Sequence, residues 1–298
     1  MASYAGEFSR KGPGLLLRDL LRDDPVPGIE TIANAAPEIL LLTDFDYDAG
    51  HAALQAFQDR IAARGLDLPY RFALRPNTGM TTGLDLDGDG RKGGPRDAQG
   101  FGYFAGQGGQ AILSRWPLTL DVDLSTLLWR DVPDSLMAKA DPGPELQRLS
   151  TSAHWSVFVQ TPQGAVRVMT IGATPPVFDG PEDRNGRRNR DEVLLWVHHL
   201  DGRLGERPGG PAILLGNLNL DPQRGDGLRE AAARVLAHPE LQDPLPDRPT
   251  VQWDGPGEMR VTYVLPTRDW QVLGAGITPP EQDAGPHRLV WVDLAFPR

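Results

Sequence analysis

The chain has 298 residues, a net charge of -10, 40% hydrophobic residues and no cysteine. That composition supports a sizeable core and contains no apolar run of the roughly 20 residues needed to span a bilayer. It excludes disulfides, thiolate catalysis and cysteine-based zinc sites, and an acidic balance argues against nucleic acid as a partner, since phosphate contacts need a basic surface.

Met1–Arg10 lacks the basic-then-apolar pattern of a signal peptide, so the expectation is a cytoplasmic protein or a processed or truncated exported form. After a turn at Lys11–Gly14, Leu15–Leu21 reads as a short helix, and Glu38–Thr43 as a buried strand. Helical spacing of Leu54, Phe57 and Ile61 predicts a helix over Ala52–Arg64. Tyr70–Leu74 is a strand. Asn77–Gly109 is rich in glycine and aspartate without periodicity, and loops of that length are usually functional or held by a ligand. Gln110–Ser114 is a strand, and Leu118–Pro144 an irregular connection. His154–Gln160 and Ala165–Ile171 form a hairpin across a Pro-Gln-Gly turn. Pro175–Asn189 reads as a turn-rich loop and Asp191–Leu200 as a helix with its acids at the favourable end of the dipole. Ala212–Leu215 is a buried strand, Leu228–Ala237 a helix, and Arg260–Leu265 and Leu289–Asp293 the terminal strands. With no repeat and no break in composition, the expected architecture is one domain over 1–298. Its fold class is α/β (α+β), with two packed, mostly antiparallel sheets and outer helices.

Gly216-Asn217-Leu218-Asn219 follows a buried strand, and His287-Arg-Leu-Val-Trp-Val-Asp293 lies near the C-terminus. Leu41-Leu-Thr-Asp44, Leu113-Ser-Arg115, Ile171 and Arg260-Val-Thr-Tyr263 complete an ordered series. In this order the chain resembles the endonuclease/exonuclease/phosphatase superfamily, with its deoxyribonuclease I-like fold. Gly83–Gly90, Gly100–Phe104 and Thr174–Arg188 are similar to stretches of a bacterial subgroup. The resemblance implies metal-dependent phosphoester hydrolysis, with Mg²⁺ or a similar hard cation, a phosphoester as substrate or ligand, and a four-layer sandwich. Asp44 lies where the family has its metal-binding Glu, Asn219 matches the motif Asn, and His287 the terminal His. Other positions depart. Ala5 stands for an Asn, Gly172 for a His, and Asn217, Thr262 and Pro286 for aspartates. The resemblance therefore implies a catalytic site, centred on Asn217, Asn219 and His287, that has lost most of its acid–base and charge-stabilising groups. This points to a catalytically impaired binding protein, with an active phosphoesterase rebuilt around Asp44, Asn219 and His287 as the alternative. Each residue also has a plainer reading: Asp44 as a solvated strand end, His287 as a core histidine, Asn219 as a turn former.

Asp85-x-Asp87-x-Asp89-Gly90 has the alternating carboxylates of a calcium loop, without the terminal Glu; Arg96 stands in its place. Ca²⁺ held by Asp85, Asp87 and Asp89 is one expectation, an acidic loop packed through Leu84 and Leu86 the other. Arg184, Arg187, Arg188 and Arg190 form either a phosphate-binding patch or an internally paired cluster, the second being favoured by the interleaved acids. His198 and His199 are adjacent on a helix and lack metal-ligand spacing. Nothing in the sequence sets the oligomeric state.

Overall fold

The computed structural model describes residues 1–22 and 24–296. In chain order the strands are β1 (Ala2–Tyr4), β2 (Ile39–Phe45), β3 (Tyr70–Phe72), β4 (Gly109–Ser114), β5 (Leu118–Asp123), β6 (Trp155–Thr161), β7 (Gly164–Gly172), β8 (Ala212–Asn217), β9 (Val251–Trp253), β10 (Gly257–Met259), β11 (Thr262–Pro266), β12 (Gln271–Ile277) and β13 (Val290–Ala295). The helices are α1 (Leu15–Leu20), α2 (Ile29–Ala35), α3 (Ala52–Ala62), α4 (Arg184–Leu200) and α5 (Glu230–Leu236). Two large sheets form, in the orders β12-β13-β1-β2-β4-β3 and β11-β8-β7-β6-β5, with β9 and β10 as a separate ribbon. Each large sheet contains one parallel pair, β1 with β2 and β7 with β8, and its other pairs are antiparallel.

The central strands carry continuous apolar runs, Ile39–Leu42 in β2 and Ala212–Leu215 in β8, because both faces are covered. In β2, Ile39 and Leu41 enter the core between the sheets, while Leu40 and Leu42 face α1, α2 and α3. In β8, Ile213 and Leu215 face inward while Ala212 and Leu214 meet α4 and α5. Alternation with a period of two thus distributes one strand between two cores. The result is the expected helix–sheet–sheet–helix sandwich. Among the described residues, no helix is long and apolar enough to cross a membrane.

Two expectations are corrected here. The helix expected at Asp191 begins at Arg184, so its first turn carries no acid and the dipole argument does not apply. The connection after Leu118 contains β5, an edge strand paired with β6. The arginine cluster at the start of α4 is paired internally, with partners other than those interleaved in sequence apart from Asp191. Arg187 makes a bidentate pair with Asp141 at 2.7 and 2.9 Å, and Arg190 pairs with Asp191 at 2.7 Å. Arg188 donates to the carbonyls of Leu149, Gln99 and Arg148, and Arg184 to that of Leu86.

Candidate functional site

The two parallel pairs carry strand ends to the same edge of the sandwich. Asp44 near the end of β2, Gly172 ending β7, Asn217 ending β8, and Asn219 and His287 on the following loops all line one cavity of about 890 Å³. Register sets part of this arrangement atom by atom. Asn217 pairs with Thr262 on one side and with Gly172 on the other. Three positions where the resembled family has ionisable groups therefore stand in one row across three strands, and here none of the three is ionisable.

Asp44 sits at a bulge between β2 and β4 with φ of 60°, a left-handed backbone that Asp tolerates better than most residues. The bulge turns its carboxylate toward Gly108, where a Cβ would lie 2.8 Å from Oδ1. Asp46, two residues on, accepts from the backbone N–H of Arg10 at 2.9 Å and of Gly108 at 3.0 Å, fixing both loops around Asp44. The Asp44 carboxyl keeps contact with solvent through the cleft but is walled by protein on its other sides. That confinement first, then the nearby Asp46 and Glu7 carboxylates, push it up to about 7. Glu7 also lines the cleft, its carboxylate lying against Gly285 in the His287 loop.

Asn217 and Asn219 are tied to each other. Asn219 has φ of 49°, its backbone N–H donates to Asn217 Oδ1 at 2.9 Å, and Asn217 Nδ2 donates to Asn219 Oδ1 at 3.1 Å. Asn219 Nδ2 donates to the Ala173 carbonyl at 2.7 Å. His287 stands edge-on to Trp253, ring centres 5.7 Å apart, and its Nδ1 is buried without a hydrogen-bond partner among the described residues. Burial, helped by Arg288, holds the imidazole down at about 4, so it is neutral near pH 7. A Cβ at Gly172 would lie 2.8 Å from Ser152 Oγ, which donates to the Gly172 carbonyl, and 3.1 Å from Gln110 Nε2. The volume a side chain would need there is filled.

The opposite wall is set by residues the sequence did not single out. Glu192 on α4 accepts from the backbone N–H of Thr151 and from that of Thr174 at 2.7 Å. Asn189, one turn earlier, donates to the carbonyls of Thr174 at 2.7 Å and Leu218 at 2.8 Å. Two polar residues on the stripe that also carries Val193 and Trp196 are the signal that could have found them. Among the described residues the cleft is lined by four carboxylates, Glu7, Asp44, Asp226 and Asp254, and by no lysine or arginine.

Asp85, Asp87 and Asp89 do come together, with carboxylate oxygens within 4.8 Å of one another, but they lie outside this cleft. Asp85 accepts from the N–H of Gly88 and Gly90, Asp87 from that of Asp89, and Asp89 from that of Arg91. Leu86 is buried, and Asp97 holds the loop from inside through the N–H groups of Leu86 and Gly94, both at 2.8 Å.

A model of the Endonuclease/Exonuclease/phosphatase family matches residues 10–291. No curated protein sequence matches the chain. Among solved structures, an endonuclease/exonuclease/phosphatase from Beutenbergia cavernae DSM 12333 is similar at TM-score 0.63 and 16% identity, over 99% of this chain and 70% of that one. A family protein from Leptotrichia buccalis C-1013-b gives TM-score 0.56 at 11% identity, over 99% and 100% of the two chains. The human Nocturnin catalytic domain with bound sulfate anion gives 0.55 at 12%, over 99% and 93%. At these identities the likenesses speak for the fold, and it is the match over nearly the whole length, together with the ordered motifs around the cleft, that places this chain in the Endonuclease/Exonuclease/phosphatase family.

Proposed function

We propose that the cleft binds a ligand and has lost the metal-assisted phosphodiester hydrolysis of its family. The observation that carries this reading is the row Thr262–Asn217–Gly172 beside His287. A general base needs a partner to fix its tautomer and support its charged form, and His287 Nδ1 has none among the described residues. Pro286 precedes it where an aspartate would be expected. A water-orienting carboxylate is missing at Asn217, whose amide is engaged by Asn219. One charge-stabilising donor alone is worth about 2.7–4 kcal/mol of barrier, so several losses together take ordinary turnover to background. The acidic walls, without lysine or arginine among the described residues, also favour a ligand other than a polynucleotide.

The free Asp44 and Glu7 carboxylates favour a second reading, an active phosphoesterase with a rebuilt site. Oxygen donors of this kind suit Mg²⁺, which is commonly held by one or two carboxylates, and such an ion would neutralise charge on a bound phosphoester. Ca²⁺ is the ion proposed for Asp85, Asp87 and Asp89, whose spacing suits a larger, more flexible coordination sphere.

Hydrolysis of bis(p-nitrophenyl) phosphate and of plasmid DNA with Mg²⁺ or Mn²⁺ separates the two readings. The expected outcome is no turnover by the parent. Gain of metal-dependent turnover in Asn217→Asp with Thr262→Asp, and Gly172→His accompanied by Ser152→Gly, would support a lost ancestral chemistry. Parent turnover above about 1 per second, abolished by His287→Ala, would overturn the proposal.

A further inference from the structure

Resting on the ligand-binding reading above, we infer that Glu192 is a proton-operated latch on the cleft wall. As a neutral acid it holds the loops at Thr151 and Thr174 together; as a carboxylate it favours a state in which they part and water reaches it.

The latch belongs to a stripe on α4. Asn185, Arg188, Asn189 and Glu192 follow the spacing that puts side chains on one face of a helix, and this face meets loops. Asn185 donates to the Val177 carbonyl at 2.8 Å, Asn189 to those of Thr174 and Leu218, and Arg188 to those of Leu149, Gln99 and Arg148. Among the described residues Glu192 is the one member of the stripe whose side chain accepts, taking the N–H of Thr151 on one oxygen and that of Thr174 on the other. Thr151 and Thr174 both line the cleft, and so does the chain that runs on from Thr174 to Phe178. Parting the two loops would therefore move the wall together with the Phe178 ring, which is 77% exposed.

The geometry makes the ionised form the strained one. Glu192 is fully buried, and among the described residues its carboxylate has no ion-pair partner. Arg188, one turn earlier, directs its donors at carbonyls instead. His154, at the start of β6, meets the Glu192 backbone carbonyl through Nε2 at 3.1 Å, and burial holds its imidazole down at about 4, so it is neutral above pH 6. Asp191 turns away to Trp129 Nε1 at 2.6 Å. Two N–H donors offset part of the lost hydration of the charge. The neutral acid keeps one acceptor oxygen, and its O–H can donate to the Thr151 hydroxyl, which lies beside it, buried and without a partner among the described residues. Burial accordingly pushes the carboxyl up from 4.5 to about 7, with Arg188 and the N–H donors pulling the other way. A group raised in the closed state binds its proton more tightly there, so protonation favours closure and rising pH favours opening.

The test is hydrogen–deuterium exchange of the whole chain without ligand, in segments covering Thr151 and Thr174, corrected for the intrinsic effect of pH on exchange. With 4.5 for the open state and about 7 for the closed one, exchange should rise about tenfold from pH 6 to pH 8.5 and level off above pH 8. Glu192→Gln cannot ionise and should show no such rise. Asp44→Asn removes the other carboxyl pushed up to about 7 and should keep it. No rise in the wild type, a rise that survives Glu192→Gln, or one that disappears in Asp44→Asn would each overturn the latch. So would an equal rise in β2 and β8, because the loosening would then be global; this comparison uses the wild type alone and stands even where a variant is too unstable to measure. Since no ligand is present, a failed exchange result removes the latch and leaves the ligand-binding reading intact, and a cleft that binds nothing leaves the exchange result intact.

Discussion

Replacing Glu192 by Gln separates a hydrogen-bonding role from a charge-burial cost. The wild-type carboxylate accepts two backbone N–H groups, from Thr151 and Thr174, on loops that line the cleft. A Gln amide offers one oxygen and one NH₂, so one of those N–H groups loses its acceptor, at about 1–3 kcal/mol. The wild type has a compensating liability. Burial, against the opposing pull of Arg188 and the two N–H donors, raises the Glu192 carboxyl from 4.5 to about 7. A carboxyl raised on folding contributes stability that is fully present below its unfolded value and is lost as pH rises through the folded value. A shift of that size corresponds to about 3 kcal/mol between pH 4.5 and pH 8, and Gln has nothing to titrate. At pH 5 the wild-type carboxyl is itself largely protonated and offers one full acceptor oxygen, so the variant should match it there to within about 1 kcal/mol; at pH 8, where the charge-burial cost outweighs the second acceptor, the variant should be the more stable by up to about 3 kcal/mol. Denaturant unfolding followed by tryptophan fluorescence at both pH values measures this, and the difference between the two proteins cancels the other titrating groups. A gap that is the same at pH 5 and pH 8 would refute the argument, because Glu192 would then not titrate on folding in this window.

Excess Ca²⁺ should raise the melting temperature more than Mg²⁺ through Asp85, Asp87 and Asp89, since an ion bound only by the native state stabilises it; no calcium shift, or an equal shift in Asp87→Asn, would defeat that site. Gly172→Ala should cost about 1–3 kcal/mol of unfolding free energy through its contact with Ser152 Oγ, with much of the loss recovered when Ser152→Gly is added. Arg187→Ala removes a bidentate pair and leaves Asp141 partly buried and unpaired, so chemical denaturation should show a loss of about 1.5–3 kcal/mol.

The sheets were legible because the central strands are buried on both faces, and Ile39–Leu42 or Ala212–Leu215 admit few other readings. Asp44, Asn217, Asn219 and His287 could be singled out because each adjoins such a strand, although their roles are a separate matter from their placement. β5 was missed because Leu118–Asp123 is an edge strand whose charged and exposed positions blur its pattern. The first turns of α4 were missed because Arg184–Arg190 is basic, carries Asn and Gly, and has no apolar period until Val193. Glu7 was invisible because it lies on the irregular connection after the three-residue β1, where no period marks a position. Glu192 reads as a solvated helix acid until the loops it holds are seen. Those loops, at Thr151 and Thr174, have no periodic signal, and their position depends on contacts far apart in sequence. The expected acidic start of α4 failed for a local reason: Asp183 takes a left-handed conformation just before the helix and makes no side-chain cap, and the last acids before it precede the first turn.

The packing of Ser152 against Gly172 imposes an order on substitutions. Ser152 Oγ donates to the Gly172 carbonyl and receives Gln110 Nε2 at 3.0 Å, so the space above position 172 belongs to a three-residue lattice rather than to open solvent. A side chain introduced at 172 while Ser152 is in place meets that lattice first, whatever chemistry it brings. Substitution at 172 therefore carries a cost as long as Ser152 is in place, whereas Asn217→Asp changes almost no volume. Variant libraries that sample these sites one at a time would therefore discard imidazole at 172 as a folding defect and never assay it as a catalyst; only libraries that vary 152 and 172 together reach that combination.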